Sequence, residues 1–448
     1  MIHVGECTSV SQRVSGASIN KSPTSRCSQA RVRVHYDGGQ LLSDAQVLES
    51  ARPAQLRWHK KLLFVVIGVV SLGFVLLCFG ELGLRVLSLF PTSFRSSPFR
   101  QYDPVLGLSL IPNKHVIHAR GCFQGEVSTN RWGMRDRNRS LEKGPHEFRI
   151  ALVGDSVVEG VQVKSDEVMN IRMEKLLAEK GYPNTEVLNF SVEGIGTDQE
   201  LVMYQERVRR FHPDVVVLVF VENDVMNNSS TLQPKAYGIH TWYAPYYDLG
   251  ANGDLVFRPV EPRLLDGWMS FLESHFLLTY YLERIWFQVY IPLYTWHGVS
   301  LMWGAFGDPP EPEWQQAWLI TAKAMTLFKD TVLNDGAKFL VVVAANFYQI
   351  DPDWRQRFIQ REGKIPLPFS VNKFEERLRE VAERNHIPME FLAPYFVAYR
   401  DAHHLQWPYF SLSCDPHYSA LGHEVAAEAM VQKLEEGHFL PPPAGQNR

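Results

Sequence analysis

Five cysteines in 448 residues, none of them arranged as CxxC, give no support to a thiol zinc site or a thioredoxin-type redox pair. A basic excess is missing as well. Lys and Arg number 45 against 49 Asp and Glu, a formal net charge of -4, so the cationic stripe of a nucleic-acid binder is absent. No Walker or dinucleotide glycine pattern follows a strand-like run, and no internal repeat stands out. Hydrophobic residues, by contrast, make up 45% of the chain and charged residues 21%. Such a chain buries a sizeable core, as one large domain or two ordinary ones.

A long hydrophobic run occurs once. Leu62–Phe79 reads LLFVVIGVVSLGFVLLCF and carries no charge. At ~1.5 Å per residue it approaches the ~30 Å hydrocarbon thickness of a bilayer. Glu81 and Arg85 follow, so the helix is expected to continue into the interface to about Phe90. A buried core helix would keep a polar face, and this run has none. A cleaved signal peptide would have a shorter apolar stretch, a shorter upstream tail and a small-residue cleavage site. A retained anchor is therefore expected over 58–90, preceded by a flexible polar tail over 1–57. Arg52, Arg57, Lys60 and Lys61 crowd the N-terminal flank. The positive-inside rule then puts the tail in the cytoplasm and the rest outside, in the periplasm or at the cell exterior if this is a bacterium. Cys78 lies within the run and is expected to be inert. Cys122 and Cys414 fall after it; they can pair if that part is exported, and two unrelated thiols fit the sequence equally well.

Beyond the anchor, 91–146 is punctuated by Pro and Gly and reads as a stalk and lead-in segment. From 147 a regular alternation begins. Strands are expected at Phe148–Val153, Glu186–Phe190, Asp214–Val221, Lys338–Ala344 and Pro388–Leu392. Helices are expected at Asp166–Lys180, Thr197–Phe211, Glu313–Asn334, Val371–Arg384 and Ser419–Leu434, with Gly181 closing the first and a Thr197/Glu200 capping box opening the second. Residues 225–312 break the pattern and are rich in Trp and Tyr. Glu283, Arg284, Pro292 and His297 interrupt Leu277–Phe306, which argues against a second span. An aromatic lid or a surface lying on the bilayer fits this composition, and an inserted helical subdomain with its own small core is the expected form. The alternation itself implies an α/β fold with a parallel sheet covered on both faces, in which ligands sit at the carboxyl ends of the strands.

Chemistry-bearing residues fall at those ends. Gly154-Asp155-Ser156 directly follows the first strand, where a serine hydroxyl is exposed and its own N–H can face a developing oxyanion. Gly194, with Gly196 nearby, follows the second strand and can present an unhindered N–H. Asn223 ends the third strand and can offer a side-chain amide. Asp415-Pro416-His417 precedes the last helix; in an extended stretch residues two apart share a side, so Asp415 can orient the His417 ring. Taken singly, each of these is also a plain turn or loop. Other histidines (His403, His404, His423) lack such a partner and read as surface or packing residues; a metal site of His403, His404 and Cys414 is the minor alternative.

Together these residues place a nucleophile, three oxyanion donors, a base and an orienting acid in one chain order. The constellation resembles the SGNH hydrolase family, also called GDSL esterases, with its four blocks matched at Ser156, Gly194, Asn223 and His417. The resemblance covers roughly 147–225 and 335–435. It implies a flavodoxin-like three-layer α/β/α sandwich, here a domain over 147–440 carrying the 225–312 insert. It also implies ester chemistry with no cofactor and no metal. Block one reads GDSVVEG in place of GDSL. Cys414 occupies the position three before the histidine where the acid often lies, and the Asp-x-His spacing resembles the alginate acetyltransferase-like, membrane-anchored branch. Glu222 stands where a glycine usually precedes the asparagine block. Upstream, YDPVLG (102–107) and TNRWGMR (129–135) resemble elements of anchored bacterial members associated with exopolysaccharide modification.

The expected function is a serine-dependent ester hydrolase working outside the cytoplasm through an acyl-enzyme, with Ser156, Asp415 and His417 as its triad and an ester or acylated sugar as substrate. An O-acyltransferase of exopolysaccharide shares the first half-reaction and is the alternative. A non-catalytic carbohydrate-binding or assembly protein on the same scaffold is a second, and a lipase acting on its own membrane a third. The expected partners are the membrane, through one helix, and that substrate.

Overall fold

The computed structural model describes residues 58–90, 96–120, 122–237, 244–261, 266–290, 295–296, 299–366 and 368–443. The 1–57 tail, with Arg52 and Arg57, lies outside the described residues. Two compact units divide the chain, one ending at Leu72 and one beginning at Gly73. Helix α1, Trp58–Ser88, has a window of mean hydropathy 3.0 with none of it buried. It is the one candidate membrane span among the described residues.

From residue 96 the expected stalk is folded. It forms two antiparallel hairpins, β1 (Arg100–Asp103) with β2 (Gly107–Leu110), and β3 (His115–Arg120) with β4 (Phe123–Ser128). Phe99, Leu110, Val127 and Val161 make a small core beneath them.

The main body then runs β5 (Phe148–Gly154), α2 (Ser156–Glu159), α3 (Met169–Glu179), β6 (Thr185–Ser191), α4 (Thr197–Glu206), β7 (Val215–Phe220) and α5 (Asn223–Asn227). The insert contributes a hairpin of β8 (Tyr246–Leu249) and β9 (Leu255–Arg258), then α6 (Asp266–His275) and α7 (Leu277–Tyr290). The body resumes with α8 (Pro312–Asn334), β10 (Lys338–Val343), α9 (Trp354–Glu362), α10 (Val371–Asn385), β11 (Met389–Phe391), α11 (Ala393–Ala402) and α12 (Ala420–Glu436).

The five body strands form one parallel sheet in the order β11-β10-β7-β5-β6. Numbered along the chain this is 2-1-3-4-5, the flavodoxin-like order. Side-chain alternation divides the core in two. Ala151, Val153, Phe190, Leu218 and Val341 face one way, onto Leu201 of α4, Trp314 of α8 and Phe374 of α10. Ile150, Leu152, Val187, Val217 and Val342 face the other, onto Met173 of α3, Phe396 of α11 and Val425 of α12. The chain is thus an α/β protein with three layers. β7, VVVLVF, is buried along its whole length, as a central strand covered on both faces must be.

Three expectations need correction. The helix opening at Thr197 is capped by Gly196, whose N–H is accepted by Gln199 Oε1, so Gln199 and not Glu200 closes the turn. Glu200 instead is fully buried. The 225–312 insert does not keep its own small core: Tyr247, Trp303 and Phe306 join the cluster under the sheet. Finally, the first two expected helices are shorter and flanked by 3-10 turns: the one expected over Asp166–Lys180 starts only after Val168, and the one expected over Thr197–Phe211 ends at Glu206.

Candidate active site

Ser156 is the first residue of α2, immediately past the end of β5. Its helix is started by Asp155, whose carboxylate accepts the Val157 N–H at 3.0 Å. A first-turn residue has no intrahelical partner for its N–H, so that donor points out of the turn. Gly154 is required here by close approach: a Cβ would lie 2.5 Å from Val158 Cγ2 and 3.3 Å from the Val219 carbonyl.

His417 reaches the serine from the segment before α12. Its Nε2 lies 2.8 Å from Ser156 Oγ, and its Nδ1 lies 2.5 Å from Asp415 Oδ1. The same carboxylate oxygen accepts the His417 N–H at 3.0 Å, closing a short local turn that fixes both residues. Asp415 is buried and the ring is 20% exposed. The carboxylate selects the tautomer with the proton on Nδ1, leaving Nε2 to accept the Ser156 O–H. Burial alone would lower the pKa of His417. The hydrogen bond and charge of Asp415, joined by Glu193 and Asp155, reverse this and raise it above 6.5.

The other two residues singled out in the sequence follow neighbouring strands of the sheet. Gly194 has φ +78°, a left-handed conformation that favours glycine, in the loop after β6. Asn223 begins α5 at the end of β7, across the strand-order reversal from Ser156. Its amide donates one hydrogen to Asp155 Oδ2 at 2.8 Å, which orients the second. Ser156, Gly194, Asn223, Asp415 and His417 therefore sit on the carboxyl-end side of one sheet. The structure joins Ser156, His417 and Asp415 in one unbroken relay.

Sequence reasoning missed a second tier of residues. Glu159, the acidic residue of GDSVVEG, is fully buried, and its Oε2 accepts the Glu193 N–H at 2.6 Å. Arg100 of β1 bridges Glu159 at 2.6 Å and Glu193 at 2.7 Å. Burial pushes the Glu159 carboxyl up, against the opposing pull of Arg100. A charge held after two valines was the available signal, because a buried carboxylate requires a partner. Arg135, from the TNRWGMR stretch, donates to the carbonyls of Glu126, Glu159, Gly160 and Val163 and so sews the hairpins to the turn after α2. Asn130 accepts the N–H groups of Trp132 and Met134. Both act here as ties, whatever family resemblance they carry.

Glu222 does not disturb Asn223. It accepts from the Asn346 amide at 2.5 Å, and burial, aided by the charge of Asp155, pushes it up to about 7. Cys414 is bonded to Cys122, which settles the open pairing and removes the thiolate that a site with His403 and His404 would need. His403 stacks on Tyr399, and His423 is buried beside Tyr418 with its pKa lowered to about 3 by burial, then by the charge of Arg135. Among the described residues no group of three or more His, Cys, Asp and Glu could hold a metal.

No family model and no curated protein matches the chain. Solved structures do resemble it. An acetyl xylan esterase, AlAXEase, shares 14% identity at a TM-score of 0.34, covering 64% of this chain and all of its own. The lipase/acylhydrolase from Enterococcus faecalis shares 12% at 0.34, over 65% of this chain and 96% of its own. TesA shares 13% at 0.34, over 65% and 99%. Likenesses at this level assign nothing to the chain; the strand order carries the fold, and the site stands on its own geometry.

Proposed function

We propose that the chain is a serine-dependent ester hydrolase of the SGNH type, anchored by α1 and working outside the cytoplasm. One observation carries the reading: the continuous contact Asp415–His417–Ser156, at 2.5 and 2.8 Å, beside a turn rich in N–H donors. Ser156 Oγ attacks the ester carbonyl while His417 Nε2 takes its proton. The N–H groups of Ser156 and Gly194 and the free amide hydrogen of Asn223 receive the oxyanion. His417 returns the proton to the leaving alkoxide, and water then cleaves the acyl-serine by the same exchange. Export is supported by the single apolar helix, by Lys60 and Lys61 on its N-terminal flank, and by the Cys122–Cys414 disulfide, a bond of oxidising compartments. For the substrate we take O-acyl groups of an exported polysaccharide, on the resemblance of the two upstream motifs.

The test is cleavage of p-nitrophenyl acetate and of an acetylated polysaccharide by the detergent-solubilised chain, beside Ser156→Ala. Loss of at least ~10³-fold in the variant is expected, together with loss of labelling by a fluorophosphonate. Equal rates in the two proteins would sink the serine route. Acetyl transfer to added sugar in preference to water would replace hydrolase with transferase and leave the triad in place.

A further inference from the structure

The insert carries an apolar surface that the ester chemistry does not use. On α7, Leu282, Ile285, Trp286 and Val289 are all exposed. Their spacing is i, i+3, i+4, i+7, one face of a helix. On α6, Trp268 and Phe271 are exposed as well and stack on each other at 5.7 Å. The opposite side of the pair is held to the body. Leu277 and Tyr281 are buried, Tyr281 Oη donates to the Ser96 carbonyl, and Ser270 Oγ accepts the Tyr102 N–H at 2.8 Å. Each helix therefore presents a row of large apolar side chains outward, of a kind that marks an interaction surface.

The end of α1 indicates what covers that row. Glu81 stands two residues past the apolar run and accepts the N–H groups of Leu277 and Leu278, at 3.2 and 2.8 Å. These are the first two residues of α7, so a carboxylate from α1 caps its N-terminus. Arg85 donates to the carbonyl of His275, the last residue of α6. The junction of the two helices is thus fastened to the water-side end of the candidate span. An α7 of 14 residues is ~21 Å long, short of the ~30 Å needed to cross. A row of Trp, Phe and aliphatic side chains at that level matches the way an amphipathic helix lies in the headgroup and acyl boundary.

We propose that α6 and α7 form a monotopic foot that lies in the bilayer leaflet beside α1, with Trp268, Phe271, Leu282, Ile285, Trp286 and Val289 in lipid. This rests on α1 being the anchor and is independent of the serine chemistry. The foot also packs on β1, the strand that sends Arg100 to Glu159 and Glu193, so it holds the site at a fixed height near the membrane.

The test is nitroxide scanning of the full chain in phosphatidylcholine nanodiscs. Cys7→Ser, Cys27→Ser and Cys78→Ala leave the disulfide pair as the only native cysteines. Labels go separately at Ile285→Cys, Val289→Cys, Val70→Cys within the apolar run, and Asp254→Cys on an exposed turn. Collision with oxygen relative to a water-soluble nickel chelate is expected to be several-fold higher at 285 and 289 than at 254, approaching the value at 70. Ratios at 285 and 289 equal to that at 254 would place the helices in water and overturn the foot. Shielding from both reagents would mean that protein covers the row, and overturns it equally. A water-like ratio at 70 would remove the anchor and the foot with it, whatever the state of Ser156.

Discussion

At the scale of single residues, the charge environment of His417 makes the sharpest prediction. In the proposed mechanism His417 must be neutral to take the serine proton. Its pKa is raised, with Asp415 the main cause acting against burial. A raised pKa keeps the ring protonated to higher pH, so the acid limb of kcat/KM is expected above pH 6.5 and activity is lost as pH falls through it. Asp415→Asn removes the charge that does this. The limb is expected to move down, and kcat to fall by about 10⁴-fold as the tautomer is lost. An unmoved limb in that variant would show that another group sets it, and Glu222, titrating about 7 beside the site, is the residue to test next. Arg100 offers a different kind of check. Its replacement by Met leaves Glu159 buried without its cation and loosens the hold on the Glu193 N–H, next to Gly194. A fall in kcat of about 10²-fold with little change in KM is expected, because the proposed role of the loop is to receive the oxyanion and not to bind the ground state. A change confined to KM would place Arg100 on the substrate instead.

At the scale of elements, the body strands were legible because each obeys one rule. β5, β6, β7 and β10 are short, mainly apolar runs, and the structure places them within a residue or two of expectation. The candidate site could be read for the same reason: Ser156, Gly194 and Asn223 follow three consecutive strands, and Asp415 with His417 needs only local geometry. What escaped depends on pairing across long separations. β1 to β4 are mixed in polarity, and their inward residues are set by the body they pack on. The Arg100–Glu159 bridge spans 59 positions, and neither residue announces the other. The disulfide was an open choice because separation in space decides it; the Cα atoms are 5.8 Å apart across 292 positions. It ties the start of the β4 hairpin strand to the residue before Asp415. Cys122→Ser with Cys414→Ser is therefore expected to cost about 2–4 kcal/mol of stability. The loss should be concentrated in the loop that carries Asp415 and His417, so hydrogen exchange there should quicken while the sheet stays protected. Uniform exchange across the molecule would make the bond a global staple and not a brace of the site.

At the scale of the whole molecule, two independent features must agree on sidedness. In the proposed topology Lys60 and Lys61 at the start of α1 keep that end in the cytoplasm by the positive-inside rule, and everything after Ser88 lies outside. The disulfide joins Cys122 to Cys414, both well beyond α1, and such a bond is typical of oxidising surroundings. Either feature read alone has exceptions; charge bias can be outweighed, and some cytosolic proteins keep disulfides. Their agreement makes the topology testable in one experiment. Proteinase K added to sealed, outer-membrane-stripped cells is expected to remove the body from Ser96 onward and to leave a protected fragment holding residues 1–57 and α1. Protection of the body until the membrane is broken would reverse the orientation. The serine, its loop brace and the proposed foot would then all face the cytoplasm, where glutathione would open the Cys122–Cys414 bond and an exported polysaccharide could not reach Ser156.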